Sequence, residues 1–389
     1  MTKTALIIGG GIAGPVTAIA LRKAGIDAEI YEAYGHGSDG AGAFLTLAAN
    51  GLETLRLLDL CEPVLELGMD SSRMRISNGR GKVLATSHQP SRTLKRADLY
   101  RVLRDEAVSR AVPIHYGKRL EDASITRDGV RAEFADGTFA EGDLLIGADG
   151  LRSRTRTLID PKAPKARHVG LLNTGGFASG VKVPGEPGTS YFIFGRKCFF
   201  GYLIHPQGDV WWFANPPSPR EPTPQELAAI TPEQWRARLA ALFKDDTGPM
   251  LDIIAATGQI LAGWNTYDFP TVPRWCNDRM VIVGDAAHAT SPSSGQGASM
   301  AIEDAVVLAK CLRDVPDLSC AFAAFERARR ERVERVVAQG RRNGSGKAPG
   351  VFGAYVRDLV LPIVMRQVTK RNALAWMHDH RLTWDDLVI

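Results

Sequence analysis

Three runs of consecutive apolar residues end at a glycine in this chain: Ala5-Leu6-Ile7-Ile8 before Gly9, Leu144-Leu145-Ile146 before Gly147, and Met280-Val281-Ile282-Val283 before Gly284. Runs this short with no polar face predict buried parallel strands. The first leads into Ala13 to Lys23, whose spacing predicts a helix, and then into a second strand, Ala28-Glu29-Ile30-Tyr31, so the chain opens with a β-α-β unit. Arg96 to Val108 predicts another helix, with Leu99, Leu103 and Val108 on its inner side. Val130 to Phe134 alternates, Asp136-Gly137 turns, and Asp143 to Ile146 returns as a strand.

The pattern changes from about Gly170 to Trp275. Tyr191 to Phe194, Cys198 to Ile204 and Val210 to Ala214 are β-rich runs parted by turns, which predicts an antiparallel sheet bearing aromatic side chains. Pro216, Pro217, Pro219, Pro222 and Pro224 mark a loop. Thr231-Pro232-Glu233-Gln234 is a capping box that starts a helix with Trp235, Leu239 and Leu242 on its apolar stripe. Gly340 to Gly350 reads as a Gly-rich basic loop before a last helical region containing Phe352, Val356, Leu359 and Val360. The expected organisation is α/β: a Rossmann-like first domain over 1–169 that includes some segments of the second, an inserted antiparallel β-sheet domain over 170–275, a return to the first domain over 276–340, and a C-terminal helix over 350–389.

At 389 residues the chain can bury a full core, and 44% hydrophobic with 23% charged residues is the balance of a soluble enzyme. The net charge of +5 owes much to Arg327 to Arg342, where Glu326, Glu331 and Glu334 are interleaved. That mixture predicts a solvated helix face rather than a nucleic-acid patch. No apolar run approaches the roughly 18 residues of a spanning helix, and Met1-Thr2-Lys3 leads directly into the first strand, so a cytoplasmic protein is expected. Cys61, Cys198, Cys276, Cys311 and Cys320 form no C-x-x-C pair, and His378 and His380 diverge on a helix; reduced thiols and no metal site are expected.

Gly9-Gly10-Gly11-Ile12-Ala13-Gly14 has the Gly-x-Gly-x-x-Gly form between a strand and a helix. Gly9 makes the tight turn, Gly11 admits a pyrophosphate, and Gly14 lets helix and strand pack closely, while the helix N-terminus offers N–H groups and partial positive charge. Glu32 ends the second strand, where a carboxylate accepts hydrogen bonds from ribose hydroxyls and disfavours a 2'-phosphate. A turn without ligand is the alternative for the glycines. For Asp149 and Asp285, each just past a strand, it is an N-cap or Asx-turn.

Together these segments resemble the class A FAD-dependent aromatic hydroxylases, the single-component monooxygenases of the p-hydroxybenzoate hydroxylase fold, over nearly the whole chain. Gly9, Gly11, Ala13, Gly14 and Glu32 match the family's ADP-binding turn and ribose acid. Asp149, Gly150, Ser153 and Arg156 match its D-G-x-x-S-x-x-R motif, which supports FAD and nicotinamide. Gly284, Asp285 and Pro292 match its G-D-x-x-x-x-x-P segment, whose Asp contacts the ribityl region. Gly295, Gly297 and Ala298 then open a helix toward the flavin pyrimidine. Arg96 with Leu99 and Leu103 resembles the helix whose Arg reaches the flavin side chain, an exposed surface Arg being the alternative. Leu120 corresponds to an adenine contact or to a core leucine. Gly42 and Ala43, with Asn50 beyond, resemble the segment passing the ribityl chain. His288 is either an acid-base group or a packed histidine, the second reading being favoured.

The resemblance implies non-covalent FAD, NADH or NADPH as reductant, O2, and hydroxylation of a small aromatic or polycyclic substrate through a flavin C4a-hydroperoxide, by a monomer or weak homodimer. The catalytic side chains stay unknown, because the cofactor supplies the difficult chemistry. Phe192, Phe194, Phe200, Tyr202, Trp211 and Phe213 are the aromatic candidates for substrate contact, and alternation allows only some of them to face a pocket. A non-oxygenating flavin reductase and a non-enzymatic ligand-sheltering protein of the same fold are the alternatives.

Overall fold

A computed structural model describes residues 3–35, 43–347, 353, 356, 358–360, 362, 363 and 373–388. β1 (Thr4–Ile8), α1 (Ala13–Lys23) and β2 (Asp27–Glu32) form the opening unit. β3 (Phe44–Ala48), α2 (Ala49–Arg56), α3 (Cys61–Leu67), β4 (Met69–Asp70), β5 (Arg73–Asn78), β6 (Val83–His88) and β7 (Ser91–Lys95) lead to α4 (Arg96–Ser109). Then come β8 (Ile114–Tyr116), β9 (Leu120–Ile125), β10 (Val130–Phe134), β11 (Phe139–Gly142), β12 (Leu144–Gly147) and α5 (Arg154–Ile159). The middle of the chain holds β13 (Arg167–Ala178), β14 (Thr189–Phe194), β15 (Phe199–Ile204), β16 (Val210–Asn215), α6 (Pro224–Ala228), α7 (Pro232–Phe243), α8 (Met250–Ala255) and β17 (Trp264–Asp268). β18 (Met280–Ile282), α9 (Asp285–His288), α10 (Gly297–Asp314) and α11 (Leu318–Ser345) follow.

The three apolar runs become adjacent strands of one sheet, ordered β18-β12-β1-β2-β8 and parallel throughout. Their side chains are buried on both faces, which explains the absence of alternation. A second sheet has seven strands in the order β17-β13-β16-β15-β14-β5-β6. It is antiparallel except where β14 runs parallel to β5, because β5 and β6 arrive from before the insertion. One face of it packs on α7 and α8 through Phe200, Trp212, Trp235, Leu239 and Phe243. Thr231 caps α7 with Gln234 in the reciprocal position.

Four expectations need correction. Pro224 is not loop: it begins α6, where Thr223 and Glu226 form a second capping box and the missing N–H of proline costs nothing. Val108 is exposed and Ala107 is buried instead, since the residue four after Leu103 continues its stripe. The helix α11 runs through Gly340 to Ser345, so the first part of the expected loop is helical; a Cβ at Gly340 would lie 2.9 Å from both Ser294 Cβ and Thr290 Oγ1, making this glycine a packing residue rather than a break. The Arg-rich stretch is not wholly a solvated face, because Arg329 is buried on the same side of α11 as Phe325, Val333 and Val336. Residues 348–350 and Phe352 lie outside the described residues, and Val356, Leu359 and Val360 are helical and exposed. Among the described residues no helix is long and apolar enough to cross a membrane.

Candidate functional site

The segments after β1, β12 and β18 meet at the carboxyl edge of the parallel sheet, where α/β folds place ligands. Each touches the other two. A Cβ at Gly9 would lie 2.5 Å from Ala148 O, so the first turn runs against the second, and the φ of +108° at Gly9 needs glycine in any case. A Cβ at Gly284 would lie 3.4 Å from Ala13 Cβ, placing the third turn against the N-terminus of α1. Arg156 closes the set: its guanidinium donates to Leu151 O and Ala286 O, each at 2.9 Å, and stacks over Phe269. Burial lowers the pKa of Arg156, and the Asp149 carboxylate opposes that shift.

The convergence leaves a cradle. A Cβ at Gly11 would meet nothing within 4 Å, and neither would one at Gly295, whereas one at Gly14 would overlap the Gly9 carbonyl oxygen. Both α1 and α10 lack a side-chain N-cap and carry no acid in the first turn, although α5, α6, α7 and α11 are capped by Ser153, Thr223, Thr231 and Asp317. Two long helices therefore present uncapped N-termini beside the open space at Gly11 and Gly295, an arrangement suited to anionic groups. Glu32 is buried at the end of β2, accepting from Gly10 N at 2.7 Å and Tyr34 N at 3.0 Å, with lone pairs left for a diol. Leu120 is buried at the start of β9; two residues earlier, Lys118 N donates to the backbone of Glu32.

Asp149 combines its two readings. Its Oδ2 accepts from Thr155 N and Thr155 Oγ1, as an Asx cap would, while its Oδ1 is buried with no hydrogen-bond partner. Asp285 is solvent-accessible at the start of α9, yet surrounding protein raises its carboxyl pKa, with the charges of Arg96 and His288 opposing and Asp304 reinforcing. Accessibility amid so much protein places it in a cleft. The Arg96 side chain is exposed, donates to Tyr100 Oη at 2.7 Å, and its backbone N–H reaches Ala43 O at 3.4 Å. Pro292 is exposed at the start of a 3-10 turn, Gly295 takes φ +65°, and Ala298 stands in the first turn of α10. Gly42 lies outside the described residues.

His288 is packed rather than poised. Its Nε2 is 2.5 Å from Asp304 Oδ2, which also accepts from Gly284 N at 2.8 Å. Asp304 and Glu303 are both buried, and Arg329 bridges them at 2.7 and 2.6 Å. Burial would raise both carboxyls, but the cations beside them hold both below the usual range. Glu303 also accepts from Asn50 and Arg332, and Asn50 donates to Gln296, whose amide faces His378 Nδ1 at 3.2 Å. This network escaped sequence reasoning, although a Glu-Asp pair inside the apolar run Ala298 to Leu312 was a signal.

Alternation sorts the aromatic candidates. Phe200 and Tyr202 join the core under α7 and α8. The opposite face carries Phe192, Phe194, Trp211 and Phe213, and adds Phe199, Phe177 and Phe44, which sequence reasoning did not single out. The Phe213 ring lies over its cross-strand partner Gly201, which has no side chain to obstruct it, and Phe213, Phe192, Phe177 and Phe44 are each only partly buried, so an aromatic surface, the trough, stays partly open on that face. Phe44 packs 6.1 Å from Phe213 and 5.6 Å from Trp211, and directly follows Ala43, so the trough adjoins the cleft of Asp285 and Arg96. A separate hollow of about 360 Å³ between α11 and the C-terminal segment, lined by Arg335, Gln339, Arg342 and Trp376, holds none of the motif residues. The five cysteines are free, and among the described residues no group of three His, Cys, Asp or Glu side chains is placed to hold a metal.

Known proteins resemble this chain over most of its length. Residues 2–339 match the family model described as an FAD binding domain. The chain is 30% identical over 369 residues to an aurachin C monooxygenase/isomerase of Stigmatella aurantiaca, covering 92% of this chain and 93% of that one. It is 29% identical over 352 residues to an FAD-dependent urate hydroxylase of Klebsiella pneumoniae, covering 87% and 88%. The structure of Klebsiella pneumoniae HpxO with FAD and uric acid superposes with a TM-score of 0.85 at 25% identity, covering 95% of each chain. A salicylate hydroxylase substrate complex shares the fold, with a TM-score of 0.79 at 19% identity over 97% of this chain and 96% of that one.

Proposed function

The chain belongs to the FAD binding domain family of flavin-dependent monooxygenases, and from that membership we propose an enzyme that uses NADH or NADPH and O2 to place one oxygen atom on a flat aromatic or polycyclic molecule. The balance is R–H + O2 + NAD(P)H + H⁺ → R–OH + NAD(P)⁺ + H2O. The observation that carries the reading is the mutual contact of the three turn segments around an open cradle, with an aromatic trough beside it. One relative is named as a hydroxylase of urate, a flat ring system, in keeping with that trough.

FAD, when bound, accepts the reducing equivalents and activates O2. The chain's own residues bind, orient and exclude water. Glu32 receives the ribose diol, and the N-terminus of α1 beside Gly11 receives the pyrophosphate. Asp285, with Arg96 close enough to perturb it, would hold the ribityl region, and the uncapped N-terminus of α10 at Gly297 and Ala298 would offer partial positive charge to the ring system. Asp149 keeps one carboxylate oxygen free for the nicotinamide side while the other holds α5. Phe44, Trp211 and Phe213 wall the substrate from water.

The test is a panel of flat aromatics added to FAD-reconstituted protein under labelled O2, scored for stimulated NAD(P)H consumption and product mass. One labelled oxygen in the product supports the reading. Turnover that proceeds without oxygen makes the protein a reductase, and a protein that stays colourless after reconstitution overturns the flavin site itself.

A further inference from the structure

Lys347 is almost wholly buried, at 6% exposure, just past the end of α11. Its ammonium group donates to Asn215 Oδ1 at 2.7 Å and stands 4.1 Å from the ring centre of Phe199 and 5.7 Å from that of Phe213. Asn215 is aimed by its own amide, which donates to Leu172 O and Asn173 Oδ1. A lysine nitrogen has three donors. Among the described residues no carboxylate pairs with this one. Burial lowers its pKa to about 7, opposed only by the Cys198 thiol.

An uncompensated cation in so dry a place is costly unless an anion arrives to pair with it. The two rings against which it sits belong to the trough face, and Phe213, laid over Gly201, is the one of the two that stays partly exposed there. The far side of the trough ends at Phe44, next to the cleft of Asp285 and Arg96. A flat molecule lying on Phe213 therefore has its reacting edge toward the cleft and its opposite edge toward Lys347. We propose that Lys347, aimed by Asn215, is a specificity residue that selects aromatic substrates bearing a carboxylate or an equally acidic ring oxygen. The proposal rests on the monooxygenase reading for the location of the pocket and assigns the substrate's charge.

The experiment uses the FAD-loaded protein and two pairs of near-isosteric flat probes, an anionic acid and its neutral amide in each, benzoate with benzamide and 2-naphthoate with 2-naphthamide, with binding read from the perturbed flavin absorbance. The wild type is expected to bind at least one acid tenfold or more tightly than its amide. Lys347→Met should weaken that acid at least tenfold and leave the amide within twofold, with Lys347→Arg retaining the preference. Asn215→Asp, which supplies an internal counter-charge with the lysine in place, should weaken the acid as well, so the result does not depend on the Met variant folding. Equal loss of acid and amide in Lys347→Met would mean that the lysine only packs, and no preference in the wild type, or no binding of any probe, would equally overturn the proposal. Failure of the monooxygenase reading shows elsewhere, as NAD(P)H consumption without oxygen transfer, since these titrations need no turnover.

Discussion

The guanidinium of Arg156 donates to the carbonyl oxygen of Ala286 across 2.9 Å, joining segments 130 residues apart in the chain. That carbonyl belongs to the short helix begun by Asp285, while Arg156 stands in the helix capped by Ser153 just after Asp149. Two acidic turns are thereby locked to one another by a side chain that hydrogen-bonds to neither carboxylate.

Gly11 and Gly14 should respond differently to the same substitution. Gly14→Ala drives a methyl into the Gly9 carbonyl and forces α1 away from β1, so the folded apoprotein should lose several kcal/mol, on the scale of about 1–3 kcal/mol or more for overpacking. Gly11→Ala meets open space and should leave the apoprotein melting temperature unchanged within about 1 °C, a shift worth under about 1 kcal/mol for a chain of this length. Its methyl fills the cradle, so FAD affinity should fall by about tenfold or more, a loss of about 1.4 kcal/mol. Calorimetry of the apoprotein beside a flavin titration separates the two.

Asp285→Ala should lower FAD retention after gel filtration and abolish NAD(P)H oxidation while the circular dichroism spectrum stays that of the wild type, because the accessible side chain supports no core contact. Full flavin content and turnover in this variant would remove Asp285 from the site.

For Asp149, alanine and asparagine distinguish cap from ligand. Asp149→Ala removes the acceptor of Thr155 N and should cost about 1 kcal/mol, whereas Asp149→Asn keeps an acceptor there and should be nearly neutral. Both should slow flavin reduction by NAD(P)H in anaerobic stopped-flow more than they alter stability. Unchanged reduction kinetics in both would leave Asp149 with its capping role alone.

Arg329→Met strands Glu303 and Asp304 without their shared cation, and about 3–5 kcal/mol of stability should disappear in urea unfolding. Because Asp304 also receives Gly284 N, the variant should loosen FAD as well.

Stability should also depend on His378. Burial holds its pKa down to about 4, with Asp379 opposing and Arg332 reinforcing, and its Nδ1 must be unprotonated to accept from Gln296. The unfolded chain then takes up the proton at a higher pH than the folded one, so the contribution is complete above pH 6.5 and is lost as pH falls from 6.5 toward 4, by up to about 3 kcal/mol. His378→Gln should flatten this part of the stability profile. An identical slope in wild type and variant would assign it to other groups.

Much of the site was legible in advance because its signals are local. A strand that ends at a glycine, an acid one or two residues past a strand, and Thr-Pro-Glu-Gln at a helix start each express a constraint that a few consecutive residues satisfy among themselves. Gly340 and Arg329 were misplaced because their environment is made by distant partners, the Thr290 and Ser294 side chains against α11 and a carboxylate pair on α10, whereas Val108 was misplaced by one residue within its own helix, whose stripe runs Leu99, Leu103, Ala107.

The amino-acid order alone determined the parallel strands, the phosphate-type turn and the acids beside it, since backbone geometry and short-range hydrogen bonding require those residues wherever the rest of the chain goes. Only the tertiary structure decided which face of the seven-stranded sheet forms the trough, that Lys347 is buried beside Phe213, and that Asp304 holds Gly284. Burial and charge pairing depend on what lies across the interior, and elements hundreds of residues apart can be brought together only by packing.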